Sequence, residues 1–332
     1  MVRAGMLLLL VCSYSHAQAP LQPLQPTQGP GGSEYPYEEI VFIDSAQTAG
    51  GYWICKPANP GPDSAAVVVF LHGFGCFNPM IYGQWIRHLA RKGHVVLMPR
   101  YQDELWEPHR SDFTDTAAHA IQKALRYLEE QGEFKLKLDK PVFIGHSYGG
   151  VLAANLAIKY AELGIPKPAA LMLCQPGTNF FPGGRLPDYR GLPDDLNLLI
   201  LLSQNDQLVS RRFGKKVYRC ASNVSKRDML LMREDHRGRP PLAAGHRACH
   251  ATDPAFDNGI RTFSARYALF HIPTDAADFY GFWKLGDALI DCTLRGVHCE
   301  TAFGGTPSQL YLGTWSDGKP VKPFKRLVTS DW

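Results

Sequence analysis

The sequence predicts an α/β fold: a mainly parallel sheet with helices on both faces, antiparallel strands at the N-terminal end and a helical C-terminal extension. Three observations carry this expectation. Short runs that are apolar throughout recur along the chain, stretches with helical spacing alternate with them, and glycine or proline marks several of the junctions. A strand without a polar face belongs inside a parallel sheet, where helices cover both sides. A length of 332 residues allows one large domain with a sizeable core.

Taken in order, residues 40–43 and 52–55 are short β-rich runs separated by Gly50 and Gly51, which reads as an antiparallel pair. Residues 66–71 form a continuous apolar run ending at His72-Gly73. Helical spacing follows over 82–90 (Trp85, Ile86, Leu89), with Gly93 as its stop, and then comes a buried strand at 95–98 closed by Pro99. The alternation continues as helix 117–128, strand 141–144, helix 148–163, strands 170–174 and 196–202, and a last strand at 229–232. Residues from about 255 onward exceed a minimal fold of this kind. Trp283, Leu285, Leu289 and Ile290 sit at helical spacings and read as a packing helix. Alternatively, the aromatics Phe279, Tyr280, Phe282 and Trp283 form a lid or substrate wall.

Ahead of the domain, Arg3 precedes the apolar run 6–12, and small residues follow at Ala17 and Ala19. A positive start, a short apolar core and an A-x-A site make a secretory signal peptide over 1–19. Cys12 in Leu-Leu-Val-Cys offers lipid anchoring as a second choice, disfavoured because Val11 is larger than the small residue such sites use. Residues 20–38 are then a Pro/Gly-rich linker, expected to be extended or disordered, and the domain occupies 39–332. This layout implies a secreted or periplasmic protein, with no integral membrane span. A formal charge of +4 without long basic runs argues against nucleic acid.

An oxidising compartment makes disulfides available to the seven cysteines beyond Cys12. Cys292 with Cys299 is the favoured pair, because Arg295-Gly296 can turn the chain back between them; Cys220 with Cys249 is the alternative. Cys249 and His250 are adjacent and point apart, so no metal site is expected, and no cofactor is called for.

Ligands of such sheets bind outside the carboxyl ends of the strands. There Gly145-His146-Ser147-Tyr148-Gly149 lies between a strand and a helix, the setting of a nucleophile elbow with Ser147 as nucleophile. The oxyanion donors expected with it are the backbone N–H of Tyr148 and that of Phe74, in the loop His72-Gly73-Phe74-Gly75. His72 is read as orienting that loop. In this chain order the acid follows the serine, and Asp206 comes just past the strand 196–202. The base is left between His246, which follows a Gly/Pro-rich loop, and His236, which comes soonest after the last strand; His250 and His271 rank below both.

With these residues placed, the chain resembles the serine esterase/lipase branch of the α/β-hydrolase superfamily over residues 66 to about 250. More narrowly it is similar to exported bacterial hydrolases, through Phe70-Leu71-His72-Gly73-Phe74 leading to Pro99-Arg100-Tyr101-Gln102, and through the stretch from Asp278 to Leu285. Gly238-x-Pro240-x-Leu242-x-Ala244-x-His246 also resembles that group and tips the base toward His246, although Gly245 replaces an expected polar residue. The resemblance implies hydrolysis of small-molecule or lipid carboxylic esters through an acyl-enzyme. A thioesterase or peptidase using the same residues, or a binding protein of this fold without catalysis, are the alternatives.

Overall fold

The computed structural model describes residues 19–106, 110–178, 183–271 and 273–331. The expected signal segment, with Cys12 and Ala17, lies outside the described residues apart from Ala19.

Among the described residues, nine strands form one sheet in the order β1-β2-β4-β3-β5-β6-β7-β8-β9. The strands are β1 (Ile40–Ser45), β2 (Tyr52–Pro57), β3 (Ser64–Leu71), β4 (Val95–Pro99), β5 (Lys135–His146), β6 (Ala170–Cys174), β7 (Asn197–Ser203), β8 (Lys226–Met232) and β9 (Lys325–Arg326). From β4 through β3, β5, β6 and β7 to β8 every pairing is parallel. The antiparallel pairs β1–β2 and β2–β4 close one edge, and β9 pairs antiparallel to β8 at the other. This is the mainly parallel sheet, with antiparallel N-terminal strands, that the sequence predicts.

The two faces of β3 show why its residues are apolar throughout. Val68 and Phe70 join one core with Trp85, Leu89, Leu285 and Leu289. Val67, Val69 and Leu71 join the other with Phe113, Ile121, Val151 and Val217. The first face is thus covered by α1 (Gly83–Arg91) and α6 (Trp283–Arg295), with Ala265 and Ala268 of α5 (Phe263–His271) in the same core, and the second by α2 (Phe113–Gln131), α3 (Tyr148–Lys159) and α4 (Arg212–Cys220). At roughly 25 cal/mol per Å² of apolar surface removed from water, two such cores dominate the stabilisation. The C-terminal region is therefore helical and packs into the domain through α6. Phe282 and Trp283 belong to that core, whereas Phe279 faces a surface cavity.

Residues 19–38 contain no helix or strand but are tied down at several points. Leu21 and Ser316 exchange hydrogen bonds, and Gln22 donates to the carbonyls of Pro240 and Pro241. Further along, the Gly31 amide donates to buried Asp287 at 2.8 Å. The same carboxylate oxygen meets His88 Nε2 at 2.9 Å, and His88 Nδ1 meets the Tyr35 hydroxyl at 3.0 Å. The stretch is a strap that follows the domain surface and folds back once, where the amides of Ser33 and Glu34 donate to the carbonyls of Pro26 and Thr27. Its prolines suit a segment outside helix and sheet, since they have no N–H to satisfy.

Cys292 and Cys299 are joined in a disulfide across the turn after α6, where Gly296 takes a left-handed conformation. Cys220 and Cys249 are both free thiols. The sheet stands between them: Cys249 is in the core under α1 and α6, and Cys220 packs against the opposite one. No helix among the described residues is long and apolar enough to cross a membrane.

Candidate active site

Ser147 sits between the end of β5 and the start of α3, with φ 56° and ψ −119°. A non-glycine residue at positive φ costs about 1–2 kcal/mol, so the surrounding structure has to enforce it. The Ser147 amide donates to Cys174 at the end of β6, and its carbonyl accepts from Gly150 and Gly177. Glycine flanks the serine because the chain crosses itself here. A Cβ on Gly145 would lie 2.3 Å from the Gly149 carbonyl oxygen, and one on Gly149 would lie 2.1 Å from that of Leu71.

His246 Nε2 lies 2.9 Å from Ser147 Oγ, and His246 Nδ1 lies 2.8 Å from Asp206 Oδ2. The other Asp206 oxygen accepts from the amides of Leu208 and Val209, each at 2.9 Å. Those amides fix the carboxylate in the loop after β7. The loops bearing aspartate and histidine are also joined directly, by Asn205 N–H to the Ala244 carbonyl.

His236, the alternative, is elsewhere. Its side chain is 71% exposed and contacts Glu234 at 3.0 Å. The cause lies one residue earlier, where Asp235 turns inward to accept from Trp315 Nε1 and the Lys322 amide. Asp235 also bridges to Leu242 through both backbone bonds, which closes residues 235–242 into a loop and turns His236 outward.

Phe74 and Tyr148 line a small cavity of about 100 Å³ together with Ser147 and His246. Tyr148 is the first residue of α3, so its N–H has no partner within the helix and carries the positive end of the helix dipole. The loop holding Phe74 is anchored from the end of β4. Tyr101 donates to the His72 carbonyl, and Gln102 accepts from the Gly75 amide at 2.7 Å. The His72 ring stacks on Tyr101 at 4.0 Å, and burial pushes its pKa down to about 3. It is a neutral, loop-holding ring.

A second chain of hydrogen bonds was not legible in the sequence. Gly73 N–H donates to the Tyr82 hydroxyl at 3.0 Å, and that hydroxyl meets His146 Nδ1 at 2.8 Å. Because the His246 carbonyl beside Nε2 can only accept, the neutral ring carries its proton on Nε2, and Nδ1 accepts from the Tyr82 hydroxyl. His146 Nε2 thus donates to the His246 carbonyl at 2.9 Å. Burial holds His146 well below the ordinary histidine range, so it stays neutral. The chain links the Phe74 loop, the serine turn and the His246 loop. His250 packs edge-on against both His146 and Tyr82, fully buried, and burial lowers its pKa strongly as well.

Residues 68–306 match the alpha/beta hydrolase family, and the chain belongs to that family. A similar relative is the abhydrolase domain-containing protein abhd-5.2 of Caenorhabditis elegans. It is 29% identical over 110 residues, which make up 32% of this chain and 23% of the relative, so the match spans less than a quarter of that protein's length.

Proposed function

We propose that the protein is a serine hydrolase that cleaves carboxylic esters, with Ser147 as nucleophile, His246 as base and Asp206 holding the base. The observation that carries this reading is the unbroken hydrogen-bonded series Ser147 Oγ, His246 Nε2, His246 Nδ1, Asp206 Oδ2 at 2.9 and 2.8 Å. A serine hydroxyl is a weak nucleophile until a base in contact takes its proton, and the base needs a carboxylate to fix its tautomer.

In the proposed reaction His246 Nε2 accepts the proton as Ser147 Oγ attacks the ester carbonyl. The amides of Phe74 and Tyr148 then stabilise the oxyanion, a contribution worth about 3–4 kcal/mol per donor in related chemistry. His246 returns the proton to the leaving alcohol, and the acyl group stays on Ser147. Water, deprotonated by the same histidine, releases the acid.

The test is labelling with a fluorophosphonate together with turnover of nitrophenyl acetate. Both should disappear in Ser147→Ala. Turnover that survives in that variant would exclude Ser147 as the nucleophile, and an intact protein that neither labels nor turns over esters would be a binder. Thioester and amide substrates in the same assay separate the ester reading from its relatives. The proposal includes an exported protein whose segment 1–19 is removed, which N-terminal sequencing of the mature chain checks.

A further inference from the structure

Two cavities meet at His246. The small one, about 100 Å³, contains Ser147, Phe74 and Tyr148 in its wall. The larger, about 630 Å³, is bordered by His246 but by none of those three. His246, Arg247, His250 and Leu208 line both, so the two cavities adjoin at these residues.

From this we infer that the site is built for esters of a small acid with a bulky, largely apolar alcohol. The inference rests on the esterase reading above and assigns each half of the substrate to a chamber. During acylation the bond between the carbonyl carbon and the alcohol oxygen breaks, and that oxygen takes the proton from His246 Nε2. It must therefore lie within hydrogen-bond reach of that nitrogen. The alcohol thus leaves on the histidine side, where the large chamber opens. The carbonyl and acyl chain stay on the serine side, beside the Phe74 and Tyr148 amides.

Size then sets the substrate class. At about 30 Å³ per water-sized group, the small chamber holds roughly three or four non-hydrogen atoms, an acetyl or propionyl group. The large chamber falls within the ~300–1,000 Å³ range of sites that take drug-sized ligands. Its wall is mainly hydrocarbon, from Pro23, Leu24, Leu208, Pro240, Ala243 and Phe279. Arg247, the cation at the boundary, lies 4.4 Å from the Tyr267 ring centre, so its charge is already engaged by an aromatic face. The strap contributes Pro23 and Leu24, held over the chamber by Gln22 and by the Tyr280 hydroxyl on the Leu24 carbonyl.

Two ester series test this. With nitrophenol as the constant leaving group, kcat/KM should fall about a hundredfold or more between propionate and octanoate, since several methylenes find no space. With acetate as the constant acid, kcat/KM should rise about tenfold or more from methyl to benzyl to naphthylmethyl, alcohols that differ far more in size than in acidity. Ala243→Trp, which narrows the large chamber, should lower the naphthylmethyl-to-methyl ratio about tenfold. Octanoate cleaved as well as acetate, or a ratio indifferent to both alcohol size and Ala243→Trp, overturns the assignment while leaving an esterase. Absence of Ser147-dependent cleavage throughout both series overturns the esterase reading and this inference with it.

Discussion

His146 Nε2 donates a hydrogen bond to the backbone carbonyl of His246 at 2.9 Å, so the residue before the serine holds the loop that carries the histidine. The interaction fixes where the loop sits without touching a substrate. Replacing His146 by Leu leaves the His246 carbonyl and the Tyr82 hydroxyl without this partner, at roughly 1–3 kcal/mol each. Under the proposed mechanism kcat should fall about tenfold to a hundredfold while KM stays within about twofold. Steady-state kinetics would show it; an unchanged kcat would remove His146 from any positioning role.

The two histidines offered by the sequence are separated by a paired substitution. His246→Ala should lower kcat/KM by roughly a thousandfold or more, because under the proposed mechanism the serine then loses its base. His236→Ala should stay within about twofold, since that ring is exposed and pairs with Glu234 rather than with Ser147 or Asp206. The reverse order would transfer the role to His236.

Ser147 is held at positive φ, which glycine adopts freely. Ser147→Gly should therefore be inactive yet more stable than Ser147→Ala by about 1 kcal/mol, measured as a higher denaturation midpoint. Equal midpoints for the two variants would show that the turn relaxes once the hydroxyl is lost.

Asp275, in the wall of the large cavity, has its carboxyl pushed up to about 6 by burial, above the ordinary carboxylate range. The folded protein therefore keeps this proton at pH values where the unfolded chain has lost it. Its contribution favours folding below about pH 4 and is lost as pH rises through 6. Asp275→Asn removes that loss, which is worth at most about 3 kcal/mol. The variant should gain stability relative to the parent protein between pH 4.5 and pH 7.5, and a thermal melt at each pH would reveal a constant difference if it does not.

Much of the sheet was legible because strands buried on both faces are unbroken apolar runs, as 66–71 and 170–174 show. What escaped has a physical reason in each case. The helix α4 is amphipathic, burying Phe213, Gly214, Val217 and Tyr218 amid Arg212, Lys215, Lys216 and Arg219, but it runs for nine residues only and has a glycine in its buried stripe, a poor helix former that masks the pattern. β5 begins at Lys135, before its apolar part, because its first residues lie half in solvent. The two-residue strand β9, Lys325–Arg326, has no apolar pattern to read. At the site, the serine turn announced itself through glycine spacing. The Tyr82–His146 bond joins residues 64 positions apart and left no local trace; a histidine immediately before the serine was its one visible sign. Separating His236 from His246 depended on Asp235 turning toward Trp315, a contact spanning 80 residues.

The strap has a consequence for how this protein can change. Leu24 is 85% exposed and Pro23 belongs to no regular element, yet both wall the larger cavity without lining the one that holds Ser147. Substitutions there disturb neither the sheet nor the serine turn, so they carry little folding penalty. The cavity can thus be reshaped by drift in a proline-rich stretch while the reacting groups, locked between strands and helices, stay fixed. Under the proposed reaction, reactivity and preference are written in separate passages of the same chain, and the second can be revised without rewriting the first.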